Sequence, residues 1–301
     1  VELVSYDMPT KRGETLLLMP VGDIQWAGEH KVTALDRLKR HIEWGVEHGA
    51  WFLGMGDYID FASPSNRQRL RAAALYDTAD EVIEDTSFTL MQELYEKALK
   101  PSTGRWLGLL EGHHFYTSRA WVTTDQRLAE LLKTAFLGTS AFVRLRFLKG
   151  LRASGRSTEA AITVWCHHGA GGGQRAGSPL NRLDQLLVHW DADIYVMGHQ
   201  SKKVGAPLDR IEPLWPRRSG SQPGRLIHRT KIIACTGSFM LGYKEGHRDG
   251  KTPRGSYVEQ KMLAPVELGG VLIRITPRFA MSSRTEGKRS EYWLPDLSVE
   301  A

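Results

Sequence analysis

Trp51-Phe52-Leu53-Gly54-Met55-Gly56-Asp57 is a short apolar run that stops at glycine and then presents a carboxylate. Runs of this length bounded by glycine read as buried strands, and an aspartate set directly after one needs a partner. The pattern recurs along the chain. It appears as Leu16-Leu17-Leu18-Met19-Pro20-Val21-Gly22-Asp23, and as Trp106-Leu107-Gly108-Leu109-Leu110-Glu111-Gly112-His113-His114. It returns as Ala161-Ile162-Thr163-Val164-Trp165-Cys166-His167-His168-Gly169, and as Ile194-Tyr195-Val196-Met197-Gly198-His199. Each run ends at a residue that can bind metal or move a proton.

Amphipathic stretches separate these runs. Val32, Leu35, Leu38, Ile42 and Val46 recur at helical steps, as do Leu128, Leu131, Leu132 and Phe136, and then Leu180, Leu183, Leu186 and Leu187. Strands alternating with helices imply βαβ units and a substantially parallel sheet. In such sheets the site lies beyond the carboxyl ends of the strands, where these aspartates and histidines fall. The fold class expected is α/β.

The 301 residues, 41% hydrophobic and 25% charged, fit a globular protein and exclude wholesale disorder. The apolar runs are too short to span a bilayer. Asp7, Lys11, Arg12 and Glu14 precede the first apolar stretch, which is not the layout of a secretory signal. Two cysteines, Cys166 and Cys235, sit in apolar runs and cannot staple a fold of this size, so a reduced, cytoplasmic setting is expected. The net charge of +6 tolerates a polyanionic partner without arguing for one. Residues 1–301 read as one domain with two interruptions. Residues 61–100 are helical and charged, an insertion over the site; residues 205–229, with Pro207, Pro213, Pro216 and Pro223 among basic residues, read as a long loop. The polar tail after Arg278 is expected to wrap the surface.

Oxygen and imidazole donors without thiolate suit Mn, Fe, Zn, Ni or Co rather than iron–sulfur or structural zinc chemistry. A carboxylate such as Asp57 can bridge two ions, and ions about 3.5–4 Å apart can activate a water and clamp a phosphoryl centre. An unligated imidazole nearby would protonate the leaving oxygen.

The order of these motifs resembles that of the calcineurin-like metallophosphoesterases, whose signature runs D-x-H, G-D-x-x-D, G-N-H-D/E, H and G-H-x-H. The matches are Asp23-Ile24-Gln25, Gly56-Asp57-Tyr58-Ile59-Asp60, Gly112-His113-His114-Phe115, His167, and Gly198-His199-Gln200-Ser201, over residues 16 to about 240. The resemblance implies a two-sheet β-sandwich flanked by helices and hydrolysis of phosphate mono- or diesters. It implies one metal position on Asp57, His113, His167 and His199, with His113 standing where the family has Asn, and His114 as the proton donor. The other position departs from the family. Both of its histidines are replaced, leaving Asp23, Asp57, Gln25 and Ser201, an all-oxygen set expected to be weaker and to prefer Mn²⁺ or Mg²⁺ over Zn²⁺. A pair of ions of unequal affinity is therefore expected, Mn foremost, with Fe, Ni, Zn and Mg as alternatives; the other reading fills only the His113, His167 and His199 position stably, with substrate or a labile ion completing the rest.

Blander readings stand beside these. A one-residue slip would exchange His113 with His114. The same holds for His167 and His168, where His167 is favoured as the first residue past the apolar run. Asp60 reads as a loop-fixing residue rather than a ligand, and Gln25 and Ser201 divide between weak ligands and site lining. His30, His41, His48, His189, His228 and His247 lack ligand spacing and read as surface or partly buried residues. Gly171-Gly172-Gly173 is followed by no Gly-Lys-Ser/Thr, so it is no nucleotide P-loop, and no G-x-S-x-G occurs. Asn66 and Arg67, from a segment that also carries Arg69 and Arg71, are candidate substrate contacts, with Ser201 beside them. Lys202, Lys203, Arg217 and Arg218 suit a polyanion or a solvated loop equally.

The leading function is a metal-dependent phosphoesterase, a phosphodiesterase or nuclease rather than a protein phosphatase. A nucleotide or nucleic acid is its candidate partner. The rival is a non-catalytic metal- or nucleic-acid-binding scaffold of the same fold, for which Gln25 and Ser201 are the evidence. A third reading makes these two residues hydrogen-bond donors to a phosphate oxygen.

Overall fold

The computed structural model describes residues 1–11, 13–28, 32–73, 76–147, 160–173, 175–215, 224–246, 256–282 and 290–301. His30, Arg217, Arg218 and His247 lie outside them. The chain begins with β1 (Glu2–Met8), β2 (Leu16–Val21), α1 (Leu35–Glu47) and β3 (Trp51–Gly54). Two helices follow, α2 (Pro64–Ala72) and α3 (Asp77–Leu94), with a wider π-turn over Tyr95–Leu99 and a tight turn to Ser102. Next come β4 (Trp106–Leu109), α4 (Thr124–Leu131), β5 (Ser140–Phe147), β6 (Ala160–His167), α5 (Ser178–Leu186) and β7 (Ile194–Met197). Then come β8 (Lys203–Leu214), β9 (Arg225–Ser238), α6 (Tyr257–Gln260), β10 (Gly269–Gly270) and β11 (Leu272–Thr276). The chain closes with β12 (Phe279–Ser282), β13 (Ser290–Trp293) and β14 (Asp296–Glu300).

The strands form two main sheets. One has five strands in the order β14-β11-β2-β3-β4; the other has seven, β1-β5-β6-β7-β9-β10, with β8 also paired to β9. Within them β2, β3 and β4 run parallel, and so do β6, β7 and β9. Leu16, Leu18, Leu53 and Ile273 of the smaller sheet meet Val143, Ile162, Val164, Val196 and Ile232 of the larger in one buried layer. Outside the smaller sheet, Leu35, Leu38 and Ile42 of α1, Met91 and Leu94 of α3, and Leu128 of α4 cover Met19, Val21, Phe52 and Trp106. Outside the larger, Leu183 of α5 packs on Trp165, Tyr195 and Ile233. Helix, sheet, sheet and helix thus stack in four layers, and β2, β3, β4 and β7 have both faces buried, which is why their sequences are continuous apolar runs.

Three segments differ from their sequence reading. Residues 205–214 and 225–229 are strand, not loop. β8 and β9 pair antiparallel from Lys203↔Thr236 to Leu214↔Arg225, and β8 has no second strand partner among the described residues, so Pro207 and Pro213 sit on an edge strand, where a missing N–H is tolerated. The tail after Arg278 also adds strands. Leu297 and Val299 alternate with polar residues in β14, which pairs with β11. β5 likewise alternates, burying Ala141, Val143, Leu145 and Phe147, a pattern that no continuous apolar run announces. No helix among the described residues is long and apolar enough to cross a membrane.

Candidate metal centre

The carboxyl ends of β2, β3, β4, β6 and β7 open into loops that are stitched to one another. Asp23 N–H donates to Gly56 O at 3.1 Å, Gln25 N–H to Asp57 O at 2.9 Å, and the Tyr58 hydroxyl to Leu110 O at 2.9 Å. A side chain on Gly112 would run into Asp57 N, and one on Gly56, at φ +89°, into the His168 ring. Only glycine lets these loops close on each other. Five non-glycine residues here adopt left-handed backbone: Asp23, Gln25, Asp57, His199 and Ser201, with φ of 47°, 51°, 55°, 65° and 53°. Conformations this uncommon concentrate where geometry serves a site.

Asp57, His113, His168 and His199 each bring one donor atom to a common point, all within 4.8 Å of one another. Asp57 is 2% exposed. Its Oδ1 accepts the backbone N–H groups of His113 and of His114, the latter at 3.0 Å. Its Oδ2 lies 3.4 Å from His168 Nε2. The other ring nitrogen of His168, Nδ1, is 2.6 Å from Met55 O. A carbonyl only accepts, so Nδ1 carries a proton and Nε2 is the ring atom left to face Asp57. Nε2 is buried without a hydrogen-bond partner. A carboxylate and a ring nitrogen facing each other in a dry site are held together by a proton or by a metal cation between them. The Nδ1 atoms of His113 and His199 stand 3.0 Å apart, about the spacing of neighbouring nitrogens on one ion with bonds of ~2.1 Å. Three imidazoles and a carboxylate therefore fit a first-row transition ion.

The electrostatics agree with that fit. Burial, then the charge of His168, holds His199 down to about 4, and burial followed by His168 also lowers His113, so both are bare at neutral pH. Burial opposes a charge on His168, yet the facing Asp57 carboxylate outweighs it and raises the ring to about 9. Burial likewise opposes ionisation of Asp57, but His168 and the loop N–H groups keep its carboxyl below the ordinary range. With no ion present, a proton occupies the place between the two.

His167 is not part of the cluster, which corrects the sequence reading. Side chains alternate along β6: Ala160, Ile162, Val164 and Cys166 face the layer between the sheets, and Trp165 faces α5. His167 has the parity of Trp165. Its ring centroid is 5.8 Å from that of Trp165, and its Nδ1 accepts Gly169 N–H at 2.7 Å. His168 continues the inward parity.

Asp23 lies beside the cluster, fully buried. Its Oδ2 accepts Ser201 N–H at 3.0 Å and Ser201 Oγ–H at 3.3 Å; its Oδ1 is buried with no hydrogen-bond partner. Burial, then the neighbouring Asp57, pushes its carboxyl up to about 7. Gln25 enters through its backbone, its carbonyl accepting the Thr33 hydroxyl at 2.7 Å.

His114 turns Nδ1 to Asp60 Oδ1 at 2.8 Å. Burial works against its charge, and Asp60 and Asp57 overcome that, raising its pKa. Arg67 reaches the same loop. Its Nη1 donates to Ala62 O at 2.6 Å, His113 O at 2.5 Å and Phe115 O at 3.0 Å, and its guanidinium lies 3.9 Å over the Phe115 ring. It ties α2 to the His113–His114 loop. Asn66 is exposed one residue earlier, its N–H on the Ser63 cap. Lys202 donates to Gly173 O and Lys203 to Glu267 at 2.6 Å. Asp125 has no counterpart in the sequence reading. Buried at the start of α4, it accepts Gly112 N–H at 3.1 Å, and burial pushes its carboxyl up to about 7. Nothing in its local sequence signals a contact thirteen residues back.

No protein-family model matches the chain, and no curated protein matches it. Among solved structures it is similar to that of Chaetomium thermophilum Vps29, at 12% identity over 94% of this chain and 96% of that one, with a TM-score of 0.24. That superposition is too loose to bear on fold or function.

Proposed function

We propose that the chain is a metal-dependent phosphoesterase of the calcineurin-like kind, acting on a phosphodiester. The observation that carries the reading is the convergence of Asp57, His113, His168 and His199 within 4.8 Å, with His114 held by Asp60 beside them. An ion on those four side chains would polarise a phosphoryl oxygen and lower the pKa of a water. The residues of the chain do the rest. Asp60 accepts from Nδ1 and fixes the His114 ring, so that Nε2 is the atom that carries a proton to the leaving oxygen. Asp60 and Asp57 raise the pKa of His114 against its burial, which favours the protonated ring. The N–H groups of His113 and His114 hold the Asp57 carboxylate in one orientation. The preference for a nucleotide or nucleic acid rests on the basic balance of the chain, +6; Arg67 supports it less, since its Nη1 is engaged by three carbonyls.

The test is hydrolysis of an aryl phosphodiester by metal-stripped protein, with Mn²⁺, Ni²⁺, Zn²⁺ or Mg²⁺ restored in turn. Turnover returns with Mn²⁺ or another transition ion, and Asp57→Asn abolishes it. The fastening of Asp23 by Ser201 favours a second reading, a binding scaffold of the same architecture. That reading gains if no metal restores turnover and Asp57→Asn leaves partner binding intact.

A further inference from the structure

We propose that Ser201 closes the second metal position and that the chain holds a single ion, on Asp57, His113, His168 and His199. The inference rests on the metal-centre reading above and concerns how many ions it holds.

Counting lone pairs leads to it. Each carboxylate oxygen has about two acceptor positions. Both positions of Asp57 Oδ1 are taken by backbone N–H groups, from His113 and His114. Its remaining oxygen, Oδ2, faces His168 and belongs to the four-residue cluster. Asp57 thus has one oxygen to offer, and one of its two positions is already directed at His168. Asp23 is in the same state: Ser201 fills Oδ2 with its N–H and its hydroxyl. Asp23 Oδ1 and the second position of Asp57 Oδ2 are left.

Two carboxylate oxygens are a poor site for a divalent cation unless water completes the shell, as it does for Mg²⁺. Asp23 is 0% exposed and Asp57 2%, so bulk water does not reach these oxygens to complete a shell. Ser201 and Gln25 stand where the family signature has two imidazoles, and the hydroxyl of Ser201 is directed at Asp23 rather than away from it. The donors present do not fit a second ion. Asp23, with Ser201 N–H and Oγ–H, is instead a fixed wall of the one-ion site.

The experiment is a metal count. Full-length chain, stripped with chelator and dialysed against Mn²⁺ and separately against Zn²⁺, is assayed by plasma mass spectrometry and by titration calorimetry. One ion per chain is expected, unchanged in Asp23→Asn. The double substitution Gln25→His with Ser201→His frees Asp23 Oδ2, adds two imidazoles and raises the count to two, provided circular dichroism shows the fold retained. Two ions in the unaltered chain, or loss of the ion in Asp23→Asn, overturns the proposal. A folded double variant that still holds one ion overturns the role given to Ser201. No ion in the unaltered chain overturns the metal-centre reading itself.

Discussion

His168 keeps a proton where an ion would sit, and this gives the metal-free protein a measurable signature. Its pKa is raised to about 9, so at pH 8 the ring is charged until an ion displaces the proton, while His113 and His199 are already neutral. Metal uptake at pH 8 is expected to release close to one proton per chain, read by calorimetry in buffers of different ionisation enthalpy. His168→Ala loses both the ion and the released proton, whereas His167→Ala keeps both. The two adjacent histidines look alike in the sequence until the alternation along Ala160-Ile162-Val164-Cys166 is followed one step further. Strand parity, rather than the end of the apolar run, distinguishes them. Asp57, His113 and His199 needed no such step, because each follows glycine at the end of a buried strand.

Among the elements, α2 acts on the site through one side chain. Removing the three carbonyl contacts of Arg67 leaves the His113–His114 loop without its outer tie. Arg67→Met is expected to lower kcat about tenfold at nearly constant KM, with roughly 1–3 kcal/mol of stability lost. Steady-state kinetics of the metal-loaded variant, alongside its thermal melting, check this. A raised KM at unchanged kcat would instead make Arg67 a substrate contact, as its place in the sequence suggests. The β8–β9 pair illustrates why elements rich in proline escape a pattern-based reading. Proline is better tolerated on an edge strand than inside a sheet, and edge position is decided by partners distant in sequence. The same holds for Asp125, whose acceptor role exists only once α4 has packed against β4.

For the molecule as a whole, stability and pH are linked through a residue far from any strand end. His41 lies in α1 with its ring edge-on to Phe239, 5.4 Å between centroids, and its Nε2 buried without a hydrogen-bond partner. Burial, and then Lys203, depresses its pKa to about 4. The folded state refuses a proton that the unfolded chain accepts near 6.5. Stability is therefore whole above that value and declines as pH falls towards 4, by on the order of 2–3 kcal/mol. His41→Phe is expected to flatten that decline, measured as urea midpoints between pH 4 and 7. The alternation of strands and helices was legible from the apolar runs and the helical spacing between them, whereas their division into two sheets was implied only by the resemblance of the motifs. The full width of the sheets was not legible, because β1 and β5 of the larger sheet and β14 of the smaller alternate and share their hydrophobic face with only one layer.

The left-handed backbone at the strand ends has a consequence for any attempt to evolve this protein in the laboratory. A non-glycine residue held there costs about 1 kcal/mol or more relative to glycine. At Gln25, whose known contacts are made by its backbone, Gln25→Gly is expected to raise the melting temperature by a few degrees. Selection for heat resistance alone would thus drift towards glycine around the cluster and erode the wall of the pocket while the rest of the molecule hardened. A library screened jointly for melting temperature and bound metal would separate residues retained for folding from those retained for chemistry.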